Sequence, residues 1–277
     1  MAIRYLIVHL DKGEASAVRA DVGIGLAKRL GARLTALYAV RDPDVPGLAS
    51  RNRYVFVERA AGKAQAALQQ HAALSGVTVE WQAEIGARDM EVSRAVVMRS
   101  RETDLVILGQ YNPANPEAAA PDALVEHTVL HSGRPVLVVP HSGHFTHLGR
   151  RPVIAWNASR EAARALHDAL PLLELAEEAI VLALTPAPAR GAAGKPAPLD
   201  GVLRHLADHE VRATGDSLLF DPSSIEPAER LLSYLADTGA DLLVMGAAGQ
   251  QLGRSAAKRS LTGKVLEQMT VPILLSY

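Results

Sequence analysis

Short apolar runs alternate along this chain with longer stretches in which apolar positions recur every three or four residues. In the first half the runs fall at 4–10, 33–40, 77–85, 104–109 and 134–139. Between them Val18, Val22, Leu26 and Leu30 mark one helical face, and Phe56, Ala60, Ala64, Leu68 and Ala72 mark another. Runs such as LVILG and VLVV are apolar at every position, as expected where both faces of a parallel sheet are covered. The run at 77–85 differs. Val77, Val79, Trp81, Ala83 and Ile85 alternate with mostly polar neighbours, which predicts an edge strand. The second half repeats the order, with strands near 152–156, 179–185, 210–220, 241–246 and 271–276. There SSIE (223–226) has the form of a capping box and predicts a helix opening before Asp241. Strands joined by crossover helices predict an α/β fold of two tandem, doubly wound, five-stranded parallel-sheet domains, strand order 3-2-1-4-5.

The halves also match residue by residue. DLVILGQYN (104–112) answers DLLVMGAAG (241–249), and RPVLVVP (134–140) answers VPILLSY (271–277). Asp104 and Asp241, Gly109 and Gly246, and Pro135 and Pro272 share one offset of 137. A repeat this long marks a duplicated domain, not a solenoid unit. The domains are placed at 1–140 and 151–277, with the polar segment HSGHFTHLGR (141–150) between them.

At 277 residues, 48% hydrophobic and 21% charged, the chain suits two soluble domains of ordinary size. A net charge of −1 gives no basic footprint for nucleic acid, so no nucleic-acid partner is expected. Cysteine is absent, which excludes disulfides, thiolate chemistry and cysteine-ligated metal. No 18-residue apolar stretch or signal sequence is evident, so the expectation is a cytoplasmic protein without membrane contact.

In a sheet of this order ligands bind beyond the strand carboxyl ends, between the first and fourth strands. In the second half those strands end at AWN (155–157) and MGAAG (245–249). With VIAWNASREAARALHDALPLL (153–173), DLLVMGAAG (241–249), LVEHTVLHSGRPVLVVP (124–140) and MTVPILLSY (269–277), the chain resembles tandem members of the universal stress protein family. The resemblance implies an adenine nucleotide alpha hydrolase-like fold with its halves related by a pseudo-twofold. It also implies a regulatory stress-response role and pairing of the last strands, here within one chain, with a further homodimer open.

Nucleotide-binding members carry Gly-x-x-Gly, nine residues, then Gly-Ser or Gly-Thr, and an aspartate ending the first strand. Here Gly246 and Gly249 fit the first element and Ser260 the last, but Arg259 replaces the glycine and Asn157 the aspartate. The implied ATP contacts, with Mg accompanying the nucleotide, are Ala155, Trp156, Asn157, Leu184, Met245, Gly246, Gly249, Arg259, Ser260 and Leu261. Arg259 has two readings. Its guanidinium can hold phosphate, or its side chain can fill space that a glycine left to phosphate. In the first half the matching positions are Gly109 to Asn112, then PANPEAAAP, then Asp122 and Ala123. The second glycine is lost, and nucleotide is expected only in the second half.

His141, His144 and His147, and the helical pair His127 and His131, have spacings a metal can use. No third ligand is evident for the pair, and solvated histidines are the simpler reading, so no metal ligand is assigned. There is no Walker loop and no nucleophile elbow, and no catalytic residue is assigned. The alternatives to a nucleotide-binding regulator are a nucleotide-free interaction module and a slow nucleotide hydrolase.

Overall fold

In the computed structural model the chain is described at residues 2–42, 50–115, 120–186, 198–220, 226–247 and 260–277, side chains at 50–54, 186 and 220 excepted. It divides into two units, one ending at Thr146 and the other running from His147 to Tyr277. In the first unit the order is β1 (Tyr5–Leu10), α1 (Ala15–Leu30), β2 (Arg33–Arg41), α2 (Ser50–Leu74), β3 (Val79–Gly86), α3 (Asp89–Ser100), β4 (Leu105–Gly109), α4 (Leu124–Ser132) and β5 (Val136–Val139). Its strands are parallel and lie in the order β3-β2-β1-β4-β5. The second unit contains β6 (Pro152–Ala155), α5 (Arg160–Leu173), β7 (Ala179–Pro186), α6 (Asp200–Asp208), β8 (Ala213–Phe220), α7 (Pro227–Thr238), β9 (Leu242–Gly246), α8 (Leu261–Gln268) and β10 (Ile273–Ser276). Its order is β10-β9-β6-β7-β8, again parallel. Both units are therefore doubly wound sheets of the expected order. Strands β1, β4 and β5 are buried along almost their whole length. The alternating β3 lies at the end of its sheet, as predicted.

The residues that carry the repeat hold the sheets together. Asp104 Oδ2 accepts the backbone N–H groups of Arg4 and Tyr5 at 2.8 and 3.0 Å. Asp241 does the same for Arg150 and Arg151, at 2.8 and 3.0 Å. Each carboxylate ties the start of its unit's first strand to the start of the fourth. The prolines act through their carbonyls, which accept from Val106 and Leu243.

Two local expectations are corrected. The buried stripe of α2 runs through Val57, Ala61, Leu68 and Ala72, whereas Phe56 is 69% exposed. The two stripes differ by one residue at their start, and the periodicity of an alanine-rich helix does not separate them. The helix expected to open at SSIE begins instead at Pro227, with Glu226 extended at φ −68°, ψ 140°. Proline at the first helical position fixes φ for the helix and holds the residue before it out of helical geometry. Residues 223–225 lie outside the described residues.

Candidate functional site

The register equates the two crevices. Leu6 lies opposite Leu105 in the first unit, and Pro152 opposite Leu242 in the second. Counting on from those pairs, Asp11 corresponds to Asn157, and Arg19 to Ala165.

In the second unit Ala155 ends β6, and Met245 and Gly246 end the neighbouring β9. Leu184 lies on β7, on the other side of β6. Trp156 continues β6 by donating its backbone N–H to Leu182 O at 2.8 Å. Its indole Nε1 is shielded from solvent and finds no hydrogen-bond partner among the described residues. Asn157 is exposed, and its Oδ1 accepts the N–H of Ser159 at 3.1 Å. That Asx turn carries Ala158 into the left-handed region, φ 58°, and delivers Ser159 as N-cap of α5. Ser260 plays the same part for α8, its hydroxyl accepting from Gly263 N at 3.0 Å. Leu261 is the first residue of that helix and 37% exposed. The structure therefore gathers Ala155, Trp156, Asn157, Met245 and Gly246 at the carboxyl ends of adjacent strands, and puts Ser260 and Leu261 at a helix start. Gly249 and Arg259 lie outside the described residues.

Gly246 has a packing reason of its own. A Cβ there would come within 2.5 Å of the carbonyl carbon of Glu161 and 2.6 Å of Ala162 N. The glycine lets the first turn of α5 lie directly on β9. Gly246→Ala must push backbone apart, and is expected to destabilise the second unit by about 1–3 kcal/mol, as overpacking does. A denaturant midpoint equal to that of the unaltered chain would count against this role.

The first unit fills the equivalent space with a buried ion pair. Arg19 and Asp11 side chains are 2% and 5% exposed, with Nη2 and Oδ2 2.7 Å apart. Arg19 Nε donates to His9 O at 3.0 Å, and Nη2 to Ser16 Oγ at 2.8 Å. Asp11 Oδ1 accepts from Gly13 N and Ser16 Oγ, both at 2.8 Å, and Oδ2 from Ala120 N at 3.1 Å. Burial alone would raise the Asp11 carboxyl pKa. The Arg19 guanidinium, with the hydrogen bonds from Ser16 and Gly13, outweighs it and holds the pKa below its ordinary value. A Cβ on Gly109 would overlap the guanidinium, coming 2.8 Å from its Cζ. Gly109 therefore makes room for Arg19, where Gly246 makes room for a helix backbone. Asp122 precedes the N-cap of α4, which is Ala123 and has no side-chain cap bond.

Sequence reasoning missed Arg19 and His9. His9 is 1% exposed, its Nε2 2.8 Å from Ala39 O and its Nδ1 without a hydrogen-bond partner among the described residues. Burial is the main cause that lowers its pKa to about 4, so the ring is neutral. Among the described residues no group of three or more metal-ligating side chains converges, and no helix is long and apolar enough to cross a membrane.

No family model matches the chain, and no curated protein does. Its likeness is to solved structures. A universal stress protein from Archaeoglobus fulgidus DSM 4304 superimposes with a TM-score of 0.76 at 16% identity, over 98% of this chain and 95% of that one. A functionally unassigned protein from Pseudomonas aeruginosa PAO1 gives 0.58 at 14% identity, over 99% and 92%. A universal stress protein solved in complex with cAMP covers 51% of this chain and 100% of its own, at 17% identity and a TM-score of 0.36. The chain has the universal stress protein fold.

Proposed function

We propose that this chain is a tandem universal stress protein, regulatory rather than catalytic, whose second unit takes an adenine nucleotide and whose first does not. The observation that carries the reading is the asymmetry of the crevices. Asp11 and Arg19 occupy the first with a buried ion pair. Their counterparts in the second unit are Asn157 and Ala165, so alanine stands at the helical position from which the first unit sends a guanidinium. The nucleotide is assigned to Ala155, Trp156, Asn157, Leu184, Met245 and Gly246 at the strand ends, with Gly249, Ser260 and Leu261 completing the cradle and Arg259 beside its phosphates. Trp156 Nε1 is a donor ready for a base or ribose acceptor. At the start of α8 the backbone N–H groups and the helix dipole favour phosphate, with Mg as its counterion.

One observation favours the nucleotide-free module as a second reading. Asn157 Oδ1 and the Ser260 hydroxyl are both engaged in local turns and caps. Mass spectrometry of protein denatured straight from purification separates the two, since a co-purifying adenine nucleotide supports the first and an empty chain the second. Within the first reading, Arg259 is taken to obstruct the cradle. Arg259→Gly is then expected to bind ATP more tightly than the unaltered chain, by about 1 kcal/mol, the net worth of one regained backbone hydrogen bond. Calorimetric titration giving equal or weaker binding would refute the obstruction.

β5 is apolar throughout and β10 apolar up to Ser276; both are buried and last in their units' strand orders. They are proposed to pair within the chain, the tether holding them at roughly millimolar effective concentration. Cysteines introduced into the two strands should then cross-link within one chain, and cross-linking only between chains would reject the pairing.

A further inference from the structure

The outer face of α4 carries two imidazoles in a geometry unrelated to the crevices. The helix buries Leu124, Val125, Thr128, Val129 and Ser132, which turns His127 and His131 outward on one side. His131 is exposed and His127 half-buried. Their ring centres are 4.5 Å apart, with the planes at 63°.

That separation can be compared with what a shared metal needs. A nitrogen about 2.0 Å from the metal, in a ring whose centre lies about 1.2 Å further on, puts each ring centre about 3.2 Å from the ion. Two such rings at a right angle have centres about 4.5 Å apart, and at a tetrahedral angle about 5.2 Å. The observed separation lies within reach of two imidazoles that share one ion. The electrostatics agree. Burial first, and the neighbouring His131 second, lower the His127 pKa.

The nearby cations are aimed elsewhere. Arg101 Nη2 donates to the His131 carbonyl at 3.2 Å, and Arg134 Nη2 to the Arg101 carbonyl at 2.9 Å. Glu126, next to His127, adds negative charge to the same stretch of helix. The other close pair, His205 and His209, has ring centres 4.8 Å apart, but His209 lies beyond the end of α6 as its C-cap. Of these two pairs, only His127 and His131 are both held by one helix.

We infer that His127 and His131 form a two-histidine site for a divalent transition ion of the Ni2+ or Cu2+ class, its remaining positions filled by water. The test titrates the full chain with Ni2+ by calorimetry and follows thermal unfolding with and without the ion. His127→Ala and His131→Ala should each weaken one site at least tenfold, while the His205→Ala, His209→Ala double variant keeps it. Ni2+ should raise the melting temperature of the unaltered chain and fail to do so for His131→Ala, since binding to the folded state alone stabilises it. Alanine suits an exposed helix, so these variants should fold, and circular dichroism checks that they do. Superimposable isotherms for the unaltered chain and His127→Ala would overturn the inference and leave the ring contact as an aromatic one. Loss of the site in the His205→Ala, His209→Ala variant would overturn it equally.

Discussion

Arg19→Ala should lower the stability of the first unit by about 3–5 kcal/mol, the range found when one partner of a buried ion pair is removed. The side chain is 2% exposed and supplies the charge facing Asp11, so its loss leaves a buried carboxylate without its counterion. It also strips donors from His9 O and Ser16 Oγ. The second unit shows how the defect can be repaired, because its corresponding residues are Asn157 and Ala165. The double variant Asp11→Asn, Arg19→Ala copies that combination. It carries no buried charge, and an asparagine Oδ1 can keep the turn through Gly13 as Asn157 does through Ser159. The double variant should be more stable than Arg19→Ala alone. Urea unfolding of the unaltered chain, Arg19→Ala, Asp11→Asn and the double variant, followed by a probe in the first unit, checks both claims. A double variant as unstable as the sum of the two singles would mean that the pair's worth lies in packing, not charge.

The same pair explains what could be read in the sequence and what could not. The alternation of strands and helices, the edge character of β3 and the duplication were legible because they follow from period-two and period-3.6 patterning and from Asp, Gly and Pro at one offset. The structural meaning of those three residues was not. Asp104 and Asp241 bond to backbone N–H groups 99 and 90 or more residues away in sequence. Gly246 is demanded by the first turn of α5, a contact that only the fold creates. Gly246 therefore fits a phosphate motif and also meets a packing need, and its presence alone does not argue for nucleotide. Arg19 was invisible for a different reason. A guanidinium amid helical residues reads as solvent-facing, and its burial makes sense only against Asp11, which stands on a strand end and shares no helical period with it. His9 likewise sits inside an apolar run and reads as part of it.

His9 should make the stability of the first unit depend on pH between about 4 and 6.5. The ring is wholly enclosed, and burial is the largest cause of its low pKa. The Asp11 charge pushes the other way, while the Arg19 charge adds to the lowering. Nε2 faces the Ala39 carbonyl and must carry the proton there, so Nδ1 is left as an acceptor that meets no donor among the described residues. A second proton would therefore put an uncompensated charge in the core. In the unfolded chain the ring titrates near its ordinary 6.5, in the folded unit near about 4. Between those values the unfolded state binds more protons, so stability rises with pH. The contribution is fully present above pH 6.5 and is lost as pH falls towards 4. At about 1.4 kcal/mol per pKa unit, the loss over that window is about 3 kcal/mol. Asp11 titrates in the opposite chemical sense but with the same sign for stability. Its pKa is depressed below 3.8, so its contribution disappears only at still lower pH. The two effects therefore separate on the pH axis. His9→Gln can still offer an amide N–H to Ala39 O but cannot take up a proton, and its stability should be nearly flat between pH 6.5 and 4. Unfolding free energies measured at several pH values in that window, for both proteins, decide the matter. Equal slopes would show that some other group carries the protons.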